Sequence, residues 1–202
     1  MLVLLTASAS FAAENYRGFA IEDTAIRDRA DREAVLAAIR SQIDIVHAVG
    51  LPPETVAFMA KVRFEIVPLG TFASPTPGRY QPDNGGRIQV STAILGTGRK
   101  PVLLHELLHA YHDQVVPRGY DNPEIRRFFT QAKDLKVYAE RSHMMKNDRE
   151  FFACAATTFL NGVTAQEPFQ RAKVREHQPE FHAFLQRLLG PDTGQHAGSL
   201  QR

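Results

Sequence analysis

The sequence predicts an α+β fold, mostly helical, with a small β-sheet early in the chain. Asp31 to Val49 (DREAVLAAIRSQIDIVHAV) sets Val35, Leu36, Ile39, Ile43, Val46 and Val49 at helical spacing. Lys61 to Pro68 (KVRFEIVP) alternates instead, with Val62, Phe64 and Ile66 on one side, as a half-buried strand does. Beyond Lys100, proline, asparagine and glycine cut the chain into helix-length pieces.

The elements follow in order. Gly50 and then Pro52-Pro53 stop the first helix. Leu69 to Gly86 is dense in Gly, Pro, Ser and Asn and reads as loop. Arg87 to Thr92 is a second short strand, with Ile88 and Val90 towards the core and Gln89 and Ser91 on the other side. Pro101, suited to the first helical position, opens a helix through about Gln114. Pro117 to Asn122 is loop, and Pro123 to about Tyr138 is helical. Asn147 or Asp148 caps a helix through about Leu160, which Asn161-Gly162 ends. Pro179 to Leu189 is the last helix, with no internal repeat along the way.

A chain of 202 residues can bury a full core, and residues 13–190 are expected to form one domain, followed by a polar tail at 191–202. The composition, 44% hydrophobic and 23% charged, is that of a globular protein. A net charge of +2, with Lys and Arg scattered among acids, argues against a nucleic-acid partner. No apolar run is long enough for stable membrane insertion. Residues 1–12 read as a secretory signal, with an apolar stretch and small Ser10 and Ala12 at its end, or as an apolar arm packed on the core. The first reading implies export, to a periplasm or outside the cell. Cys154 stands alone, so neither an internal disulfide nor a Cys-rich zinc site is available.

The chemistry concentrates in Leu103 to Gln114, LLHELLHAYHDQ. His105 and His109 are four residues apart, so one helical face presents both imidazoles to one ion. Glu106 sits about 100° round the helix, beside that ion, where a base can take a proton from a water the metal activates. Leu103, Leu104, Leu107 and Leu108 bury the helix, and buried polar groups need partners. A catalytic zinc needs a third protein ligand. A metzincin-type continuation requires Gly at position 112 and His at position 115, but the chain has His112 and Val115. Glu150, in the first turn of NDREFFACAATTFL, is a candidate on an apolar helix; its alternative is an ordinary first-turn acid favoured by the helix dipole.

HELLH followed by NDREFFA, with 150 − 109 = 41 residues from His109 to Glu150, resembles the gluzincin metallopeptidases. The local likeness, from Pro101 to Leu160, is to the lethal-factor-type catalytic domain and its bacterial relatives. The resemblance implies a zincin-like domain holding one Zn2+ per chain on His105, His109 and Glu150, with Glu106 as general base. It also implies a stabiliser for the oxyanion. Relatives place a tyrosine where this chain has His143, so His143 and the nearby Tyr138 are both candidates. Where relatives carry an acid to orient a zinc histidine, this chain has Cys154, read as a packing residue, and Asp113 is an alternative support.

The expected activity is hydrolysis of a peptide or protein substrate. The strand at Arg87 to Thr92 is the expected sheet edge for the peptide, by analogy of fold. Two other functions fit the same motif: a zinc amidase for cell-wall crosslinks, and a zinc-stabilised binding domain without activity. Intact Glu106 speaks against the last.

Overall fold

Arg17 and Gly18 both take positive φ (49° and 90°) and close a two-residue hairpin between β1 (Glu14–Tyr16) and β2 (Phe19–Glu22). The computed structural model describes residues 14–72 and 76–191. The signal-like segment 1–12 and the tail beyond Pro191 lie outside the described residues. After the hairpin come α1 (Arg32–Ala48), α2 (Pro53–Lys61), β3 (Arg63–Val67), β4 (Gly78–Gln81) and β5 (Arg87–Ser91). Five helices follow among the described residues: α3 (Val102–Gln114), α4 (Pro123–Asp134), α5 (Asp148–Asn161), α6 (Arg171–His177) and α7 (Pro179–Leu189). The expected mostly helical α+β organisation is the one observed.

Several elements depart from the sequence reading. Pro52-Pro53 ends α1 but also opens α2, because proline suits the first turn of a helix. Pro101 stands just before α3 rather than within it. The helix expected to reach Tyr138 stops at Asp134, because Lys136 turns left-handed (φ 51°) and the Val137 N–H reaches back to the Ala132 carbonyl. The stretch read as one long loop contains β4, too short and too closely flanked by Pro77 and Pro82 to show a period.

The sheet runs β1-β2-β3-β5-β4, with β2, β3 and β5 parallel and the two outer strands antiparallel. The strand expected at the edge, β5, is therefore interior, and β4 is the edge. The sheet has one wet face, with Arg63, Arg79 and Gln89 on it, and one dry face. Ile21, Phe64, Ile88 and Tyr80 form a buried row across the dry face, and Ile66, Val90 and Gly78 form the next. Both rows belong to one hydrophobic core that also takes Leu36 of α1, Leu104 of α3, Phe152 of α5 and Leu185 of α7.

Two helices position the site. α3 lies under β4 and against α1, and α5 packs along α3. α5 is buried at every residue from Phe151 to Leu160 and ends at Gly162, whose φ of 85° suits glycine.

Candidate active site

α3 sets His105 and His109 one turn apart, and their Nε2 atoms are 3.2 Å from each other. α5 enters alongside. Asn147 caps it, its Oδ1 accepting the Glu150 N–H at 2.9 Å, which fixes the backbone from which Glu150 projects. Glu150 Oε2 lies 3.3 Å from His105 Nε2 and 3.3 Å from His109 Nε2. Just upstream, a short turn at His143–Met145 is pinned by buried Met144 and Met145 and places His143 Nε2 3.0 Å from the same oxygen.

These groups converge on a point more than they bond one another. Three imidazole nitrogens surround Glu150 Oε2, yet none is aligned as a hydrogen-bond donor to that buried atom. Zinc ligands about 2.0–2.1 Å from a tetrahedral centre stand about 3.3–3.4 Å apart, the edge of the tetrahedron. The separations of 3.2, 3.3 and 3.3 Å among His105, His109 and Glu150 match that edge closely. Two imidazoles and one carboxylate are a donor set suited to zinc.

Charge within the cluster is strongly coupled. Burial by itself would raise the Glu150 carboxyl, but the imidazoles of His105, His109 and His143 outweigh it and hold the group well below the carboxylate range. The interaction with Glu150 raises His143. Glu106, 8% exposed, behaves oppositely: burial raises its pKa, offset only in part by His105, by the Tyr80 N–H and by His143. Its Oε2 accepts that N–H at 2.7 Å, so the edge strand holds the base in place. The close approach depends on Gly78: a Cβ there would stand 3.0 Å from Glu106 Cγ and 3.0 Å from Val102 Cγ1.

The other candidates are placed differently. Tyr138 does not join the cluster. Its ring is buried, edge-on to Phe151 at 6.2 Å and under Lys173 Nζ at 5.4 Å, and it lines neither side of the cleft. The helix that was expected to carry Tyr138 towards the site ends before reaching it. Asp113 accepts the Tyr80 hydroxyl at 2.7 Å and ties the edge strand to the end of α3, instead of supporting a histidine. Cys154 Sγ lies within 4.8 Å of ligand atoms of His105 and Glu150, but it accepts from Gln166 Nε2 at 3.6 Å. Burial, with Glu150 and Glu106 nearby, pushes its thiol far up, so it packs as a neutral group. His112 is buried between Tyr120 and Phe152, and burial pushes its pKa down to about 3, so it is a neutral core residue.

Tyr80, Gly78 and Tyr120 were not singled out from the sequence. Tyr120 lines the cleft, and its hydroxyl donates to the His109 carbonyl at 3.3 Å. Alternation over Gly78 to Gln81 is the one signal that could have revealed the first two, and it spans only four residues.

A small mixed sheet whose edge strand lies over a His-Glu-x-x-His helix, with a second helix returning a glutamate to that motif, is a zincin-like α+β fold. No protein-family model matches the chain, and no curated protein matches it. Among solved structures it is similar to the Pro-Pro endopeptidase PPEP-2 from Paenibacillus alvei, with a TM-score of 0.50 over 78% of this chain and 92% of that one. The two are 17% identical, so the likeness is one of fold.

Proposed function

We propose that this chain is a zinc-dependent metallopeptidase of the gluzincin type, holding one zinc ion on His105, His109 and Glu150. The observation that carries the reading is the tetrahedral-edge spacing of those three ligand atoms, with a buried carboxylate of raised pKa one residue along from the first histidine. The activity of the structural neighbour, an endopeptidase, agrees with it. The likeness of the NDREFFA segment supports kinship with the lethal-factor-type domain. The apolar start of the chain supports an exported enzyme.

Bound there, zinc supplies a Lewis acid and lowers the pKa of a water. The chain's own groups do the rest. Glu106 takes the proton from the attacking water and passes it to the leaving amine, a task for which a raised carboxyl pKa is suited. The Tyr80 N–H keeps the Glu106 carboxylate from turning away. His143, 47% exposed and at the mouth of the cleft, donates a hydrogen bond to the oxyanion as it develops. A neutral imidazole and a protonated one each carry an N–H for this. The edge strand β4 offers backbone groups to an extended peptide. A binding domain without activity has no use for a buried base held at this distance.

The test pairs zinc content with turnover in wild type and Glu106→Gln. The expected result is one zinc per chain in both, and a drop of about 100- to 10,000-fold in peptide hydrolysis in the variant. A wild type that takes up no zinc on reconstitution, or a variant that cleaves at the wild-type rate, would overturn the proposal.

A further inference from the structure

The cleft continues away from the site in two directions, and its two halves differ in charge. Both share Thr76, His105, Glu106 and His143. One half, about 460 Å³, follows β4 towards Pro82 and is edged by three cations: Arg79 on the strand, Lys146 just before α5, and Arg149 in its first turn. The other, about 680 Å³, runs beneath Thr76-Pro77 and is walled by small uncharged residues such as Ala93, Gly96, Thr157 and Ala165, with Lys100 as the single added charge among its lining residues.

Some cations of this molecule are paired with acids and others are not. Arg40, Arg126 and Arg127 all have carboxylate partners. Among the described residues, Arg79, Lys146 and Arg149 have none; Arg79 stands over the Phe72 ring at 5.2 Å and Arg149 over the Tyr120 ring at 4.1 Å. All three side chains are exposed. The acids that share their half of the cleft, Glu106 and Glu150, are already engaged, one by the Tyr80 N–H and the other by the imidazoles. A cluster of like charges at a cleft rim, without counter-charge of its own, attracts an anionic ligand.

The direction of β4 turns this into a statement about sequence. Tyr80 N–H points away from β5 to Glu106, so Gly78 and Tyr80 turn their backbone groups outward; with the Tyr80 N–H held by Glu106 and the Gly78 carbonyl accepting the Thr76 hydroxyl at 2.9 Å, the Gly78 N–H and the Tyr80 carbonyl are the pair a peptide would meet. The antiparallel ladder is the slightly more stable one. A peptide so paired runs against the Gly78 to Gln81 direction, so its N-terminal part lies in the cationic half and its C-terminal part in the uncharged half.

We infer that the cleft selects extended peptides with acidic side chains on the N-terminal side of the bond presented to Glu106 and small uncharged side chains on the C-terminal side. This rests on the peptide-substrate reading above and names its preference. Lys146 and Arg149 are the specificity-determining residues, with Arg79 supporting them.

The test is binding, read by fluorescence anisotropy with the zinc-supplemented full chain carrying Glu106→Gln, so that turnover does not intervene. Four labelled peptides share a centre of small uncharged residues. They carry a Glu pair on the N-terminal side, a Glu pair on the C-terminal side, a Lys pair on the N-terminal side, or no charge. Exposed ion pairs each contribute a few-fold, so the N-terminal Glu pair should bind about tenfold tighter than the neutral peptide. The C-terminal Glu pair should gain nothing, and the Lys pair should bind worst. The gain, read against the neutral peptide in the same protein, should shrink in high salt and vanish in Lys146→Glu/Arg149→Glu. It should survive in Lys61→Glu/Lys136→Glu, which changes net charge equally at exposed positions outside the cleft. Should the first double variant fail to fold, the single change Lys146→Gln should still cost about threefold. Equal binding of all four peptides, a gain on the C-terminal side, or a gain that persists in the cleft variants would overturn the inference. Cleavage of the same peptides by the unaltered chain is read separately. Preference without cleavage defeats the peptidase reading and leaves the cleft's preference standing.

Discussion

α4 and α5 begin alike. Asn122 Oδ1 accepts the Ile125 N–H at 2.9 Å, and Asn147 Oδ1 accepts the Glu150 N–H at 2.9 Å. Each has an acid in its first turn, Glu124 in α4 and both Asp148 and Glu150 in α5. From there they diverge. α4 buries one stripe, Ile125, Phe128 and Ala132, and gives the rest of its surface largely to solvent; α5 is buried on all sides from Phe151 to Leu160. Glu124 is exposed and 3.9 Å from Arg187. Glu150 is instead the last charged group of its helix, which is buried from there to Leu160, and it meets two histidines of α3. The same cap thus starts a scaffold helix in one place and aims a ligand in the other, and what separates them is how much of the helix the core surrounds.

The largest test of that contrast is in the packing. Phe152→Ala, at a fully buried position of α5, should lower the unfolding free energy by about 3–5 kcal/mol in urea. Phe129→Ala, half-buried on α4, should cost less than half as much. Equal losses would mean that the two helices are held alike. Next comes the ligand. Glu150→Ala should weaken zinc by at least about 100-fold, since even groups that only support a metal site are worth about 10–100-fold. Glu124→Ala should leave zinc affinity within error, by competition with a chelating dye.

A comparable loss, in turnover this time, is expected at the turn before α5. His143→Phe should reduce kcat/KM by roughly 100-fold with zinc retained, as removal of one oxyanion donor does. Tyr138→Phe should leave the rate unchanged, because its hydroxyl faces the core; a reversal of the two results would return the role to Tyr138. The smallest effect is at the caps. Asn122→Ala and Asn147→Ala should each cost about 1 kcal/mol of stability. Only Asn147→Ala should also loosen zinc, because the N–H it holds belongs to Glu150.

Much of this is legible in the chain because it is local. The spacing of His105 and His109 needs only a helix, and the leucines around them ensure one. Asn147 and Gly162 mark the ends of α5 by backbone chemistry alone. The alternation of Val62, Phe64 and Ile66 names β3 with no knowledge of its neighbours. Local pattern fails at β4, where four residues between prolines cannot display a period, and at α2, where one proline pair both ends and begins a helix. It fails again at Tyr138, which lies close to Glu150 in sequence but buries its ring against Phe151 and beneath Lys173, away from the cleft.

The sequence by itself determined the mostly helical α+β class, the helix that presents two imidazoles and a carboxylate, and the capped apolar helix that carries a second carboxylate. Each follows from periodicities of two and 3.6 residues and from the donors and acceptors at helix ends. Only the tertiary structure decided that β4, not β5, forms the edge over Glu106, that Gly78 lets the two approach, and that three cations collect on one side of the cleft. Strand order and the meeting of distant side chains depend on which surfaces bury one another, and that is a property of the packed chain, not of any stretch of it.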